Sequence, residues 1–234
     1  MSGMQSLRTS LYEEHIKLGA KIVDFHGFEL PISYSSIQEE HLITRSSSGI
    51  FDVSHMGFFR FIGNNVRNCL SKITTQDITK FGVGSCGYTH FLDNDGFIID
   101  DMIFAVKSEQ EILGVPNASM IETMKSWLHS QLSDSKISII DESDDTSIIA
   151  LQGPKSPDII SNILGKNNVV GRFRCQDIIS NELGIEGWIQ GTGYTGERGF
   201  EIFLNSNDAP KLWKNILEYS DVVTKPVGLG ARDT

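Results

Sequence analysis

Apolar and polar residues alternate along the chain with two periods, and the pattern predicts short strands mixed with amphipathic helices. Leu7, Leu11, His15 and Leu18 recur at helical spacing and Gly19 follows as a stop, which predicts a helix over residues 6–18. Ser36-Ile37-Gln38-Glu39 is a capping-box pattern that opens a helix through about Arg45. Residues 51–62 are aromatic-rich and read as a strand, and residues 65–73 as a short helix. Two apolar runs, 88–92 and 97–106, are joined by Asp93-Asn94-Asp95-Gly96, and Asp-Gly between such runs signals a hairpin. A strand over 111–115 leads to Asn117, a candidate cap for a helix whose apolar positions are Ile121, Met124, Leu128 and Leu132. Strands follow at 137–140 and 146–151, and Gly153-Pro154 introduces a helix to about Leu164. Strands around a glycine-rich loop and a helix over about 208–219 complete the pattern.

That loop, GTGYTGERGFEI from Gly191 to Ile202, begins with G-x-G-x-x-G. A dinucleotide-binding loop needs a strand before it and a helix opening within it. IEGWIQ before the loop reads as a strand, but RGFEIFLN after it also alternates, with Phe200, Ile202 and Leu204 on one face and Glu201 and Phe203 on the other. Two strands joined by glycines make a hairpin, not a nucleotide loop. The bend carries Tyr194, Glu197 and Arg198 where backbone can approach a ligand closely.

Composition narrows the function classes. The 234 residues suffice for one large domain or two small ones. The net charge of −10 argues against nucleic acid as the main partner, which requires a basic face. No run approaches the roughly 18 apolar residues of a membrane span. Cys69, Cys86 and Cys175 are widely spaced and odd in number, which disfavours a disulfide framework or a zinc site and fits a reducing compartment. The opening MSGMQSLRTS has one Arg and no apolar core of a signal peptide, so a cytoplasmic location is expected. Six histidines show no metal-binding spacing, and no nucleophile elbow or phosphate loop is present.

FIIDDMIFAV, residues 97–106, interrupts an apolar strand with two acids. Successive strand side chains face opposite ways, so Asp100 and Asp101 do not form a same-face carboxylate pair of the glycosidase type. Burying an unpaired carboxylate costs several kcal/mol, so such a group is paired, exposed or functional. The pattern leaves two readings open: one Asp at a solvent-facing edge with the other in a local hydrogen bond, or a functional Asp.

The segments LYEEH (11–15), VDFHGFELPISY (23–34), TRSSSGIFDVSHM (44–56), GFIIDDMI (96–103), ALQGP (150–154), GTGYTGERGFEI (191–202) and PVGLGARDT (226–234) together resemble the T protein of the glycine cleavage system, the aminomethyltransferase family, over almost the whole chain. The resemblance implies an α+β, folate-binding aminomethyltransferase fold. An outer discontinuous domain would comprise residues 1–52 and 142–234, with an inserted ferredoxin-like domain over 53–141. Family members continue into a C-terminal β-barrel, which is expected to be absent here because the sequence stops at Thr234.

The implied activity moves the methylene of the aminomethyl group on lipoylated H protein to tetrahydrofolate, with release of ammonia. Asp100 falls on the family's essential aspartate, which would orient the attacking folate nitrogen and accept charge or a proton. Glu201 matches the glutamate that recognises the pterin, and Arg232 an arginine at the folate site; Tyr194, Tyr88, Met56 and Asn117 fall on pocket-lining positions. H protein is the implied partner, tetrahydrofolate the implied cofactor, no metal is involved, and a monomer is expected. Phe97 and Ala105 depart from the family pattern, and Ala105 in place of an aromatic residue would loosen the pocket. The alternative is a folate-binding, non-catalytic paralogue of the iron–sulfur assembly type or a fragment. That paralogue carries a cysteine where this chain has Gly193. A folate domain fused to a flavin domain in a dimethylglycine- or sarcosine-oxidising enzyme is a further reading, and the chain opens with no room for the flavin part.

Overall fold

Backbone pairing, rather than helical propensity, decides the start of the chain. The structure, a computed structural model, describes residues 6–179 and 181–234; residues 1–5, part of the N-terminal segment read above for a leader, lie outside the described residues. Leu7 donates its N–H to Gly27 O and accepts from Glu29 N, a parallel bridge to Phe28. That pairing holds Leu7 out of the expected helix, which forms only over Tyr12–Lys17 (α1). Strands β1 (Lys21–Phe25) and β2 (Phe28–Ser33) make an antiparallel pair. Its turn is His26-Gly27, both at positive φ (52° and 86°), as a tight hairpin turn demands. Helix α2 (Ile37–Ser46) opens as expected, with Ser36 Oγ accepting from Glu39 N at 3.2 Å.

The strand expected over residues 51–62 is two strands, β3 (Ser48–Asp52) and β4 (Phe59–Ile62). Asp52 Oδ1 accepts from Ser54 N at 2.9 Å and turns the chain, a side-chain-to-backbone bond that competes with the strand ladder. In chain order there follow α3 (Val66–Ser71), β5 (Cys86–Leu92), β6 (Ile98–Ser108), β7 (Glu111–Pro116), α4 (Ile121–Gln131) and β8 (Ser138–Asp141). After them come β9 (Thr146–Gln152), α5 (Ser156–Ile163), β10 (Cys175–Asp177), β11 (Gly187–Gln190), β12 (Gly199–Asn205), α6 (Ala209–Glu218), β13 (Thr224–Pro226) and α7 (Leu229–Arg232). The chain divides into two compact units: residues 1–55, 146–172 and 177–234, and residues 56–145 with 173–176.

The first unit is built on a sheet of order β10-β11-β12-β9-β3-β13. Ile149 and Leu151 of β9 and Phe200, Ile202 and Leu204 of β12 join Ile159 and Ile160 of α5 and Leu212, Trp213 and Ile216 of α6 in one core. Each fully buried Leu or Ile contributes about 1.5–3 kcal/mol, so this layer carries much of the unit's stability. Glu201 and Phe203 occupy the opposite face of β12, as the alternation predicts, and Glu201 pairs laterally with Gln190 and Ala150.

The unit also encloses a polar cluster. His15 Nε2 lies 2.8 Å from Asp52 Oδ2, His15 Nδ1 lies 2.8 Å from the Tyr34 hydroxyl, and Thr9 donates to Asp52 Oδ2 at 2.6 Å. Burial pushes the Asp52 carboxyl up, but the hydrogen bond and charge of His15, with Ser54 and Thr9, outweigh it and hold the group below its ordinary value. The helical spacing that places His15 with Leu7, Leu11 and Leu18 therefore marks a histidine satisfied inside the core.

His55 is different. It is 1 % exposed, neither ring nitrogen has a hydrogen-bond partner among the described residues, and the Phe25 ring stands edge-on at 5.4 Å. Burial first, then the positive charges of Arg232 and His26, lower its pKa to about 4 against the pull of Asp52. The unfolded chain thus binds this proton between pH 6.5 and 4 while the folded chain does not. Stability supported by neutral His55 is complete above about pH 6.5 and declines as pH falls towards 4. Thermal melts from pH 7.5 to 4 are expected to show this decline, and His55→Gln, which cannot titrate, to flatten it.

The second unit runs β4-α3-β5-β6-β7-α4-β8 and forms an antiparallel sheet of order β5-β6-β7-β4-β8. Without β5 the order is that of a ferredoxin-like βαββαβ sheet; β5 adds one edge strand. Phe59, Phe61, Met102, Phe104 and Val106 pack under Met124 and Leu128 of α4. Among the described residues no sheet closes into a barrel and no helix is long and apolar enough to cross a membrane.

Candidate functional site

The carboxylate of Asp100 lies on the buried face of β6, in line with core residues Met102, Phe104 and Val106. Register explains its setting. Phe91 pairs with Asp100 and Leu92 with Ile98, so Ile99 is an extra residue, a β-bulge one position before the acid. Asp100 is 5 % exposed, and its Oδ2 is buried with no hydrogen-bond partner among the described residues. Asn117 Nδ2 donates to Oδ1 at 2.7 Å. Burial raises the Asp100 pKa, outweighing the opposing hydrogen bond from Asn117 and those from the backbone N–H groups of Asp101 and Asn117. A buried carboxyl with a bare oxygen and a raised affinity for protons is equipped to orient and deprotonate a nitrogen.

Asn117 is not the helix cap expected from the sequence. No side-chain cap bond forms, and the chain enters α4 through a 3₁₀ turn, Ala118–Met120. Pro116 pairs with Met102, so the next residue lies beside Asp101, where the Asn117 amide reaches Asp100 Oδ1 and Asp101 Oδ1 (3.1 Å) together. Gly57 N donates to Pro116 O at 3.1 Å, which sets the half-buried Met56 near the Asn117 segment. Tyr88 does not join it. Its pairing with Ile103 places it on the face of Asp101, opposite Asp100, where its ring meets His90 at 4.9 Å.

In the first unit, Glu201 is the half-buried acid in a strand of apolar residues. The Thr192 hydroxyl and Gln190 Nε2 (3.3 Å) both donate to Oε2. Sequence reasoning missed Thr192 and Gln190; the signal was Thr192 inside the first G-x-G and Gln190 directly opposite Glu201 in the hairpin register. Tyr194 stands 72 % exposed, and the Arg232 guanidinium lies over its ring at 4.7 Å, a cation–π pair across 38 residues of sequence. Both line a cavity of about 460 Å³ with His41, Arg45, Thr195 and Ala231. Glu197 and Arg198 of the bend are structural. Glu197 receives Arg45 at 3.2 Å, and Arg198 turns inward, over the Phe200 ring and onto the Val170 carbonyl. The strand-loop-strand arrangement agrees with a hairpin, since Gly187–Gln190 and Gly199–Asn205 pair antiparallel around the glycines. Among the described residues no group of three or more His, Cys, Asp or Glu is placed to hold a metal ion.

The expected site residues thus fall into two sets, Asp100, Asn117, Met56 and Tyr88 on the second unit and Glu201, Tyr194 and Arg232 on the first. Comparison with known proteins gives the chain a family. An aminomethyltransferase of Rubrobacter xylanophilus is 38 % identical over 228 residues, covering 97 % of this chain and 60 % of that protein. One from Bacillus mycoides is 39 % identical over 230 residues, covering 97 % and 62 %. The crystal structure of the glycine cleavage system aminomethyltransferase T from Bartonella henselae superposes with a TM-score of 0.89 at 29 % identity, covering 97 % of this chain and 61 % of that one. The chain therefore spans about 60 % of the length of the relatives it matches. A heterotetrameric sarcosine oxidase chain from Corynebacterium shares the fold alone, with a TM-score of 0.56 at 14 % identity. The family model described as the GCVT N-terminal domain matches residues 11–234, nearly the whole sequence, and the chain belongs to that family.

Proposed function

We propose that this chain carries the tetrahydrofolate-handling part of a glycine cleavage T protein and transfers the methylene of aminomethyl-lipoyl H protein to tetrahydrofolate, in the cytoplasm. The observation that carries the reading is Asp100, an acid kept in a protein core with one oxygen bare and its proton affinity raised. A group so costly to bury persists where chemistry uses it. The residues also suit the ligand. Glu201 offers an accepting carboxylate, and a pterin edge offers an amino group and a ring N–H that donate.

Tetrahydrofolate, when bound, supplies the two nitrogens that take up the methylene carbon. In the balanced reaction two C–N bonds form while the C–S and C–N bonds of the aminomethyl arm break. The two protons lost from the folate nitrogens equal those gained by the lipoyl sulfur and by ammonia. On the second unit, Asp100 would hold one of those N–H groups through Oδ2 and take its proton, with Asn117 keeping the carboxylate oriented through Oδ1; on the first unit, Glu201 would recognise the pterin. Arg232, held by Tyr194, supplies a cation for the carboxylates at the other end of the ligand. The test is a transfer assay with the chain, aminomethyl-loaded H protein and tetrahydrofolate. Methylenetetrahydrofolate and ammonia should appear in equal amounts, and neither should appear when H protein or tetrahydrofolate is omitted. Release of ammonia at the same rate without tetrahydrofolate would contradict the reading.

A further inference from the structure

Gln152 ends β9 and is 1 % exposed, yet every polar atom of its side chain is engaged, and each bond goes to the glycine-rich hairpin. Nε2 donates to Thr192 O at 3.1 Å and to Phe200 O at 3.3 Å, and Oε1 accepts from the Thr195 hydroxyl at 2.8 Å. The reverse amide orientation would face an acceptor with two carbonyls, so the network itself dictates the assignment. The room for this amide comes from two glycines. A Cβ on Gly193 would lie 2.1 Å from Gln152 Oε1, and one on Gly199 would lie 2.3 Å from Nε2. Gly193 is also at φ +157°, which disfavours any side chain there. Gly193, one of the glycines that give the loop its nucleotide-like appearance, and Gly199, which opens β12, are thus places where the Gln152 amide fits.

We propose that Gln152 is a positioning residue for ligand recognition by this hairpin. It pins the carbonyls of Thr192 and Phe200, the residues that bracket the Glu201 interaction: Thr192 donates its hydroxyl to Glu201 Oε2, and Phe200 precedes Glu201 in β12. Pinning both holds Thr192 and the start of β12 in the register that keeps Glu201 Oε2 bonded internally and so fixes how the carboxylate is presented. The Thr195 bond fixes the same loop on the far side of Tyr194. The inference rests on the folate reading above for the identity of the ligand; the positioning itself rests on the hydrogen bonds.

Gln152→Glu keeps the volume and the acceptor for Thr195 but replaces the donor with an acceptor facing two carbonyls. Calorimetric titration with tetrahydrofolate, well below the melting temperature, is expected to show affinity at least tenfold weaker for Gln152→Glu. Ile160→Val, in the core under α5, is the control for general destabilisation and should bind like wild type after a similar loss of melting temperature. Amide exchange in residues 192–199 should rise in Gln152→Glu and not in the control. Gly199→Ala should weaken binding in the wild-type background and weaken it less beside Gln152→Ala, where the clashing amide is gone. Wild-type affinity in Gln152→Glu, or strictly additive effects of the Gly199 and Gln152 substitutions, would overturn the inference while leaving the folate reading intact. A folded wild-type chain that binds no tetrahydrofolate would instead overturn the folate reading and, with it, the ligand assigned to the hairpin.

Discussion

Asp100→Asn is expected to lower the rate of methylene transfer by about 10²–10⁴-fold, or about 2.7–5.4 kcal/mol of transition-state stabilisation. The substitution is nearly isosteric. The Asn oxygen can still accept from Asn117, but the bare Oδ2 becomes an NH₂ that can neither accept a hydrogen bond nor take a proton. Stability should move the other way. Burial raises the Asp100 pKa, so the folded chain holds the proton more tightly than the unfolded chain. That group's contribution is complete below the unfolded carboxyl value and is lost as pH rises through the raised one, so ionised Asp100 destabilises the fold at neutral pH. The variant should therefore melt no lower than wild type at pH 7, with the difference shrinking in acid. Rate and melting temperature measured on the same preparation check both signs, and a variant that is slow only because it unfolds would contradict the assignment. Enzyme sites commonly show this exchange of stability for activity.

Glu201→Gln is expected to weaken tetrahydrofolate binding ten- to hundredfold, about 1.4–2.8 kcal/mol. Thr192 and Gln190 present donors to Oε2, so the Gln variant will place its carbonyl there and turn its NH₂ outward. The outward position then offers a donor to a ligand edge that also donates. A charged, complementary contact becomes a like-polarity clash, which exceeds the loss of one neutral hydrogen bond. The fold should be little affected, because both internal donors remain satisfied. The dissociation constants of the two proteins at one pH and salt concentration measure the effect. The two substitutions are complementary: one removes chemistry and the other recognition, so the first should appear chiefly in kcat and the second in binding.

Much of the architecture was legible in local pattern. The Asp93–Gly96 hairpin, the Ser36 cap, the helix from Ala209 to Glu218 and the strand character on both sides of the glycine loop all follow from residue types within a few positions of one another. What was not legible depends on partners far away in sequence. Leu7 leaves its helical pattern because Gly27 and Glu29 offer backbone bonds to it. The run from 51 to 62 breaks because Asp52, tied to His15 and Thr9, also takes the Ser54 amide. Asn117 carries a cap residue's signature, and register with Asp101 claims its amide instead.

The candidate site divides along the same line. That Asp100 is anomalous was visible in the sequence, because an acid broke an apolar face. Its bulge at Ile99 and its bare oxygen were not visible, because both depend on pairing with Phe91 and Leu92. Alternation placed Glu201 on a strand face and the family resemblance gave it a role, whereas Thr192 and Gln190 acquire theirs only once the hairpin register sets them beside it. Tyr194 and Arg232 were read from separate motifs, and their stacking is a product of the fold. Gln152 gave no sequence signal of its own, since its role lies in the space that Gly193 and Gly199 leave open.

The most direct test of the account is a calorimetric titration of the folded chain, residues 1–234, with tetrahydrofolate, with Glu201→Gln titrated alongside. The account predicts saturable binding at one site per chain, weakened at least tenfold (about 1.4 kcal/mol) in the variant. A folded wild-type chain that gives no binding heat, or a Glu201→Gln chain that binds as tightly as wild type, would contradict it.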